Sequence, residues 1–243
     1  MHPQLFGNFE PEISFLARVE IDDASPRHIL WGDECHFYLN GSINTQNSRI
    51  WASEQPYTMH EIPLNSPKVT VWCGFTAEFV IGPFFFETIT PTGPKKCTIN
   101  AERYHEMLQT FVIPQLQQRN RLQQTIFMQD GAPPHISNKV KQLLRQNFTD
   151  DRVISRSFLV AWPPRSPDLT PCDFWLWGYL KSQVYVGGVS NLSILKDNIT
   201  KTVRNIPRDM LRTAVENVMH RMHGVFSENG VHIECCLIPH RGS

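Results

Sequence analysis

From residue 28 to residue 38 the chain reads HILWGDECHFY, in which Ile29, Trp31, Asp33, Cys35 and Phe37 alternate with Leu30, Gly32, Glu34, His36 and Tyr38. Successive strand side chains face opposite ways, so these are the two faces of one strand. Both are largely apolar, which predicts a central strand. A carboxylate inside such a strand is costly to bury unless it meets a metal or a partner. Alternation does not choose between Asp33 and Glu34, because they merely point to opposite sides. Asn40-Gly41 then marks a turn, and residues 48–52 are expected to return beside the first strand. Residues 54–68, rich in proline and polar side chains, form a loop. The alternation over 68–73 predicts a third strand that Gly74 ends, so the chain opens with three successive antiparallel strands. The aromatic run 79–87 around Gly82-Pro83 reads as core.

The period then changes to that of a helix. Asn100 is a fitting N-cap for a helix over 98–118, in which Tyr104, Met107, Leu108, Phe111 and Val112 share a stripe. A crossover of that length delivers 126–130 as a parallel strand. Residues 137–147 form a second helix with Val140, Leu143 and Leu144 inward. Its Lys139, Lys141 and Arg145 read as a solvated face rather than a DNA-contacting one. Residues 153–155 and 159–162 are extended pieces. From Asp173 onward Phe174, Trp175, Leu176, Trp177, Tyr179 and Leu180 are apolar nearly all round, as in a buried helix. After Gly187-Gly188 come helices over 192–204 and 207–223, the second opened by Pro207. Lys201, Arg204, Arg208 and Arg212 form a basic line whose helical phase Pro207 interrupts. His220 and His223, one turn apart, are ordinary helix residues.

Two punctuated stretches carry candidate chemistry. In FMQDGAPPH, residues 127–135, the strand stops at Asp130 because Gly131, Pro133 and Pro134 cannot continue it. In PPRSPDLTPCDFWLWG, residues 163–178, Pro167 and Pro171 stiffen the approach to a helix whose first turn holds Asp173. Carboxylates so placed could converge on a metal ion. Each alone has a structural explanation: Asp-Gly is a common turn dipeptide, and Thr170 to Asp173 fits a capping box. A third carboxylate, from the 28–38 strand, tips the balance toward chemistry.

Composition narrows the class. With 243 residues, 41% of them hydrophobic and with 15 Phe and 6 Trp, the chain suits one large globular domain or a domain plus a small appendage. No apolar run reaches the roughly 18 residues of a membrane helix, and no signal peptide is evident. The cysteines, at 35, 73, 97, 172, 235 and 236, lack a disulfide framework and read as free thiols. Cys235-Cys236 with His232 and His240 is a poor match to zinc-ligand spacing. With 23 basic against 23 acidic residues, the whole surface is not built to cling to nucleic acid, although a local groove can be.

Four motifs in order, WGDECHFYLNGSINTQNSRIW, KVTVWCGF, QDGAPPH and SPDLTPCDFWLWGYLK, resemble the catalytic domain of mariner-like transposases, a branch of the DDE/D transposases. The resemblance runs from about residue 29 to 185. Carried across residue by residue, it implies a triad of Asp33, Asp130 and Asp173 as catalytic and metal-holding residues, with Glu34 as the neighbour. Between Asp130 and Asp173 lie 42 residues, more than in the best-known mariner pattern, with the excess falling in 148–161. The resemblance further implies an α/β, RNase H-like (retroviral-integrase-like) fold: a mixed five-stranded sheet flanked by helices, with extra C-terminal helices. The expected organisation is a truncated linker over 1–25, the catalytic domain over 26–186 and a helical extension over 187–243, without the N-terminal helix-turn-helix domains of intact relatives. The implied reaction is DNA strand cleavage and strand transfer on transposon ends and target. Two Mg²⁺ ions serve it, with Mn²⁺ as a substitute, in a nuclear protein that pairs with a second copy and needs no membrane. The alternative reading is an inactive or domesticated remnant that binds nucleic acid or protein. His135 and Arg165 are second-tier candidates for orienting a ligand or meeting a phosphate.

Overall fold

The 28–38 alternation produces a ten-residue strand, β1 (Ile29–Tyr38), at the centre of a mixed sheet. The computed structural model describes residues 15, 19, 22, 25–41, 66–91, 93–163 and 166–227. The expected strand at 48–52, Arg165, His232, Cys235, Cys236 and His240 lie outside them. β1 pairs antiparallel with β2 (Lys68–Phe75), from Trp31 opposite Phe75 to Tyr38 opposite Lys68. Among the described residues the antiparallel neighbour of β1 is therefore 68–75, the segment read as the third strand. The physical reason is burial: every residue of β2 from Val69 to Phe75 is buried, so this segment takes an interior position. The aromatic run read only as core supplies β3 (Val80–Phe85), antiparallel to β2, and a small hairpin of β4 (Glu87–Thr90) and β5 (Gly93–Lys96) follows.

The expected crossover helix begins at α1 (Ala101–Met107), where the Asn100 side chain accepts the Arg103 N–H, and runs through a π turn over Leu108–Val112 into α2 (Ile113–Gln118). It delivers β6 (Ile126–Met128) parallel to β1. Helix α3 (Asn138–Phe148) leads to β7 (Val153–Ile154), parallel to β6. The order β3-β2-β1-β6-β7 is the mixed five-stranded arrangement of an RNase H-like sheet. Residues 159–162 contribute only a bridge, Val160 to Ile154. A π turn over Cys172–Leu176 opens α4 (Trp177–Val184), and α5 (Leu192–Arg204) and α6 (Arg208–Ser227) follow.

The two faces of β1 separate two cores. Ile29, Trp31 and Phe37 pack with Leu176, Trp177, Leu195 and Val215 of the later helices, whereas Leu30 joins Trp72, Tyr104, Leu108 and Leu144 on the other side. Asp33 consequently looks toward α4, and Glu34 toward α1. The polar stripe of α3 is a solvated face held by ion pairs: Lys139 with Glu102, and Arg145 with Asp150. Cys35, Cys73, Cys97 and Cys172 are free thiols, as expected. No described helix is long and apolar enough to cross a membrane.

Trp72, only 1% exposed, fits because two strand glycines leave room for its indole. A Cβ on Gly32 would stand 2.8 Å from Trp72 Cζ2, and one on Gly74 2.8 Å from Trp72 Cη2. Neither contact is tolerable without displacing a packed ring. Gly32→Ala is expected to cost about 1–3 kcal/mol, read as a lower urea midpoint at unchanged slope; an unaltered midpoint would show that the indole yields freely.

Candidate active site

The parallel ladder aligns Ile29 with Ile126, Leu30 with Phe127 and Trp31 with Met128. Carried two residues further, that register sets Asp130 beside Asp33. On the other edge of β6 the Gln129 N–H donates to the Ile154 carbonyl of β7 at 3.1 Å, after which Gly131 and the prolines turn the chain away. Asp173 arrives from the far side, inside the π turn that opens α4. The structure brings all three aspartates to the wall of one cleft of about 880 Å³, shared with Gly32, Arg156, Trp162 and Ser166. The capping box does not form. The Asp173 N–H goes to the backbone carbonyl of Thr170 at 2.9 Å, and the Thr170 hydroxyl donates to the Ser166 carbonyl at 3.3 Å. The Asp173 carboxylate therefore has no hydrogen-bond partner among the described residues.

The other two carboxylates are anchored. Asp33 Oδ2 accepts the Trp177 indole N–H at 2.7 Å. Asp130 Oδ1 accepts both the Ala132 N–H, at 3.0 Å, and His135 Nδ1, at 2.5 Å, leaving Oδ2 without a partner among the described residues. One oxygen held by the protein and another left open is how a ligating carboxylate is oriented by its surroundings.

His135 is 4% exposed and lies between two acids, with Nε2 3.3 Å from Glu34 Oε1. Its ring stacks on Tyr104 at a centroid distance of 4.0 Å. The Tyr104 hydroxyl donates to Gln129 Oε1 at 3.0 Å, and Gln129 Nε2 donates to the His135 carbonyl at 2.9 Å and to Ser155 Oγ at 3.2 Å. This buried network fixes the loop that carries Asp130. Of its members, sequence reasoning named His135 alone. Gln129 was visible inside the QDGAPPH motif, next to Asp130. Tyr104 passed as one more stripe residue, Trp177 as one more apolar helix residue, and Glu34 as a mere neighbour.

The electrostatics follow from crowding. Burial, then Asp173 and Glu34, raise the Asp33 carboxyl well above the usual range, against the Trp177 hydrogen bond. Burial and then Asp130 raise Asp173 to about 6, with Lys181 opposing. Burial also pushes Asp130 up, but the His135 hydrogen bond and charge outweigh it and hold it low. For His135 burial pulls downward, yet Glu34 and Asp130 prevail and lift it to about 10, so it is an imidazolium at neutral pH. Among the described residues no three His, Cys, Asp or Glu side chains stand close enough together to hold a metal ion as they are. The donor set, all carboxylate oxygen, suits a hard divalent cation such as Mg²⁺ or Mn²⁺.

No protein-family model matches the chain. It is 24% identical over 204 residues to the Tc3 transposase of Caenorhabditis elegans, covering 83% of this chain and 56% of that protein. It is also 24% identical over 201 residues to the Tcb1 transposase of Caenorhabditis briggsae, covering 83% and 68%. The chain thus spans little more than half the length of Tc3. The catalytic domain of the Mos1 mariner transposase superimposes with a TM-score of 0.66 over 95% of this chain and 96% of that one, at 17% identity. The mariner Mos1 paired end complex with Mg gives a TM-score of 0.69 over 96% of this chain and 66% of that one, also at 17% identity. The resemblance read from the four motifs holds in sequence and in fold, and the fold is the RNase H-like one expected.

The sign of the His135 contribution is definite. Its pKa is higher in the folded protein, about 10, than the ordinary 6.5, so the stabilisation is complete below 6.5 and is lost as pH rises toward 10. In chelator-treated protein His135→Asn is expected to cost on the order of 1–2 kcal/mol at pH 6, after allowance for the half-exposed Asp130, and to flatten the decline in urea midpoint between pH 6.5 and 10. Parallel declines in the two proteins would mean that His135 is not charged there.

Proposed function

We propose that this chain is the catalytic domain of a DDE/D transposase that cuts DNA strands and joins the freed 3′ ends to target DNA. The observation that carries the reading is the meeting of Asp33, Asp130 and Asp173 on one cleft, at the matching strand and helix ends of an RNase H-like sheet. The likeness to the Tc3 and Tcb1 transposases supports the reaction class. The likeness to the Mos1 transposase paired-end complex with left transposon end supports transposon-end DNA as substrate, and the mariner Mos1 paired end complex with Mg supports Mg²⁺ as cofactor. Action on chromosomal DNA makes the nucleus its place of work, and pairing with a second copy rests on the resemblance alone.

Asp33, Asp130 and Asp173 would hold the divalent cations. Bound in a pair, such cations supply Lewis acidity to the entering and leaving oxygens of an in-line displacement at phosphorus. The protein's own part is positioning. Trp177 fixes one oxygen of Asp33, and His135 with the Ala132 N–H fixes one oxygen of Asp130, so neither carboxylate has to be ordered during the reaction. Arg156, on the cleft wall, is a cation suited to a substrate phosphate. No covalent protein nucleophile is required for such a displacement.

Purified protein with Mg²⁺ or Mn²⁺ is expected to nick DNA and to stop when a chelator is added. Asp130→Asn should lower the nicking rate by roughly 100-fold or more, as removal of a metal-bearing carboxylate does, while Gln124→Ala on the exposed surface should not. Equal nicking by wild type and Asp130→Asn would assign the activity to a contaminant and sink the proposal.

A further inference from the structure

The basic line that Pro207 seemed to break is brought together by the fold. Arg204 is the last residue of α5 and Arg208 the first of α6, and both line a groove of about 550 Å³ whose opposite wall holds Arg119, just past the end of α2. Among the groove's lining residues Glu78 is the one carboxylate, and it is already paired with Arg121 at 2.7 Å. The Arg119 guanidinium bonds only neutral oxygens of Gln115, the backbone carbonyl at 3.1 Å and Oε1 at 3.0 Å, and lies 5.6 Å over the Phe79 ring. Arg204 and Arg208 are exposed and form no ion pair with a described residue. The 20-residue α6 directs its N-terminal N–H groups to the same end, with Asp209 as an opposing charge that does not line the groove. Phe79, Phe111 and Leu211 give it an apolar lining.

None of these residues lines the carboxylate cleft. The groove sits by the turn between β2 and β3, where Phe75 pairs with Trp31 and Val80, near the start of β1. The aspartates stand further along β1 and past the end of β6. The two sites are therefore separate along the sheet.

We propose that this groove is a second, non-catalytic contact for the DNA backbone, in which Arg119, Arg204 and Arg208 each take a phosphate. The proposal rests on the reading of DNA as substrate given above. Guanidinium forks match phosphate oxygens in pairs. Duplex DNA offers about one negative charge per 1.7 Å of axis, so three separated guanidiniums find phosphates at any sequence. An acidic peptide would have to be ordered to present its carboxylates at the same places, which costs conformational entropy. DNA is the occupant that the groove meets preorganised.

The test is fluorescence anisotropy of a 30-base-pair duplex of arbitrary sequence, with chelator present, from about 50 to 200 mM KCl. For R119Q/R204Q/R208Q the slope of log affinity against log salt should fall by about 0.9 for each phosphate that is no longer neutralised, about 2–3 in all, with at least a tenfold loss of affinity at the low-salt end. The thermal midpoint should not move; were it to drop, Arg208→Gln alone should still remove about 0.9 from the slope. Metal-dependent nicking of a short duplex at saturating concentration should persist in the triple variant. An unchanged slope and affinity would overturn the groove, as would unchanged DNA binding with loss of binding to a polyglutamate peptide. Wild type that binds through these arginines but fails to nick would overturn the catalytic reading and leave the groove standing.

Discussion

Three residues of β6 align with β1, and the whole candidate site depends on that short parallel ladder. A slip of one position would exchange the two faces of the strand, turning Gln129 into the cleft and Asp130 into the buried space beside Tyr104. The cost of such a slip explains why so short a strand holds its register. Gln129 is 1% exposed and satisfied by the Tyr104 hydroxyl, the Ser155 hydroxyl and the His135 carbonyl. A carboxylate in its place would be buried with no cation to meet it. The network is thus a register lock whose product is the adjacency of Asp33 and Asp130.

Carboxylates brought so near must be supported by something other than one another. His135 supplies a charge on one side, touching Asp130 past the end of β6 and Glu34 on β1. On the other side support comes from the Trp177 indole, one helical turn after Asp173, and from Lys181, whose charge bears on Asp173 and Cys35. The supports are unequal. Asp130 ends below the ordinary carboxyl range and Asp33 and Asp173 above it, so the unrelieved repulsion is concentrated between β1 and the π turn. That is the place where a divalent cation would gain most.

What was legible in the sequence was local. Alternation over 28–38 located β1 and its two faces, and helical period located the crossover helix, which starts three residues later than read, and both C-terminal helices, the last of which runs four residues further. Asp130 at a strand end followed from the prolines behind it. Strand pairing was less legible: 68–75, read as the third strand, lies directly against β1, a non-local fact that alternation does not carry, and 48–52 lies outside the described residues. The capping box failed for a similar reason. Its spacing was right, but a π turn at Cys172–Leu176 shifts the hydrogen bonding, and no periodicity announces a π turn. Tyr104 was invisible as a site residue, and Glu34 was seen only as a rival of Asp33, because their roles run through His135, 101 residues from Glu34.

The same logic applies to charge. A formal net charge of zero weighed against a nucleic-acid-binding surface, yet a total says nothing about distribution. In the folded chain several basic side chains are consumed by neighbours: Lys139 by Glu102, Arg145 by Asp150, Arg121 by Glu78 and Lys196 by Glu87. Pairing of that kind cancels charge in place and contributes little to any external field. Among the rest, Asp33, Asp130 and Asp173 share the cleft with Arg156, whereas Arg119, Arg204 and Arg208 line the groove. A substrate polyanion would be repelled by the first until cations are bound there and attracted by the second at all times. An electroneutral chain can therefore present an acidic cleft at one place and a cationic groove at another, since the total does not fix where the charges lie.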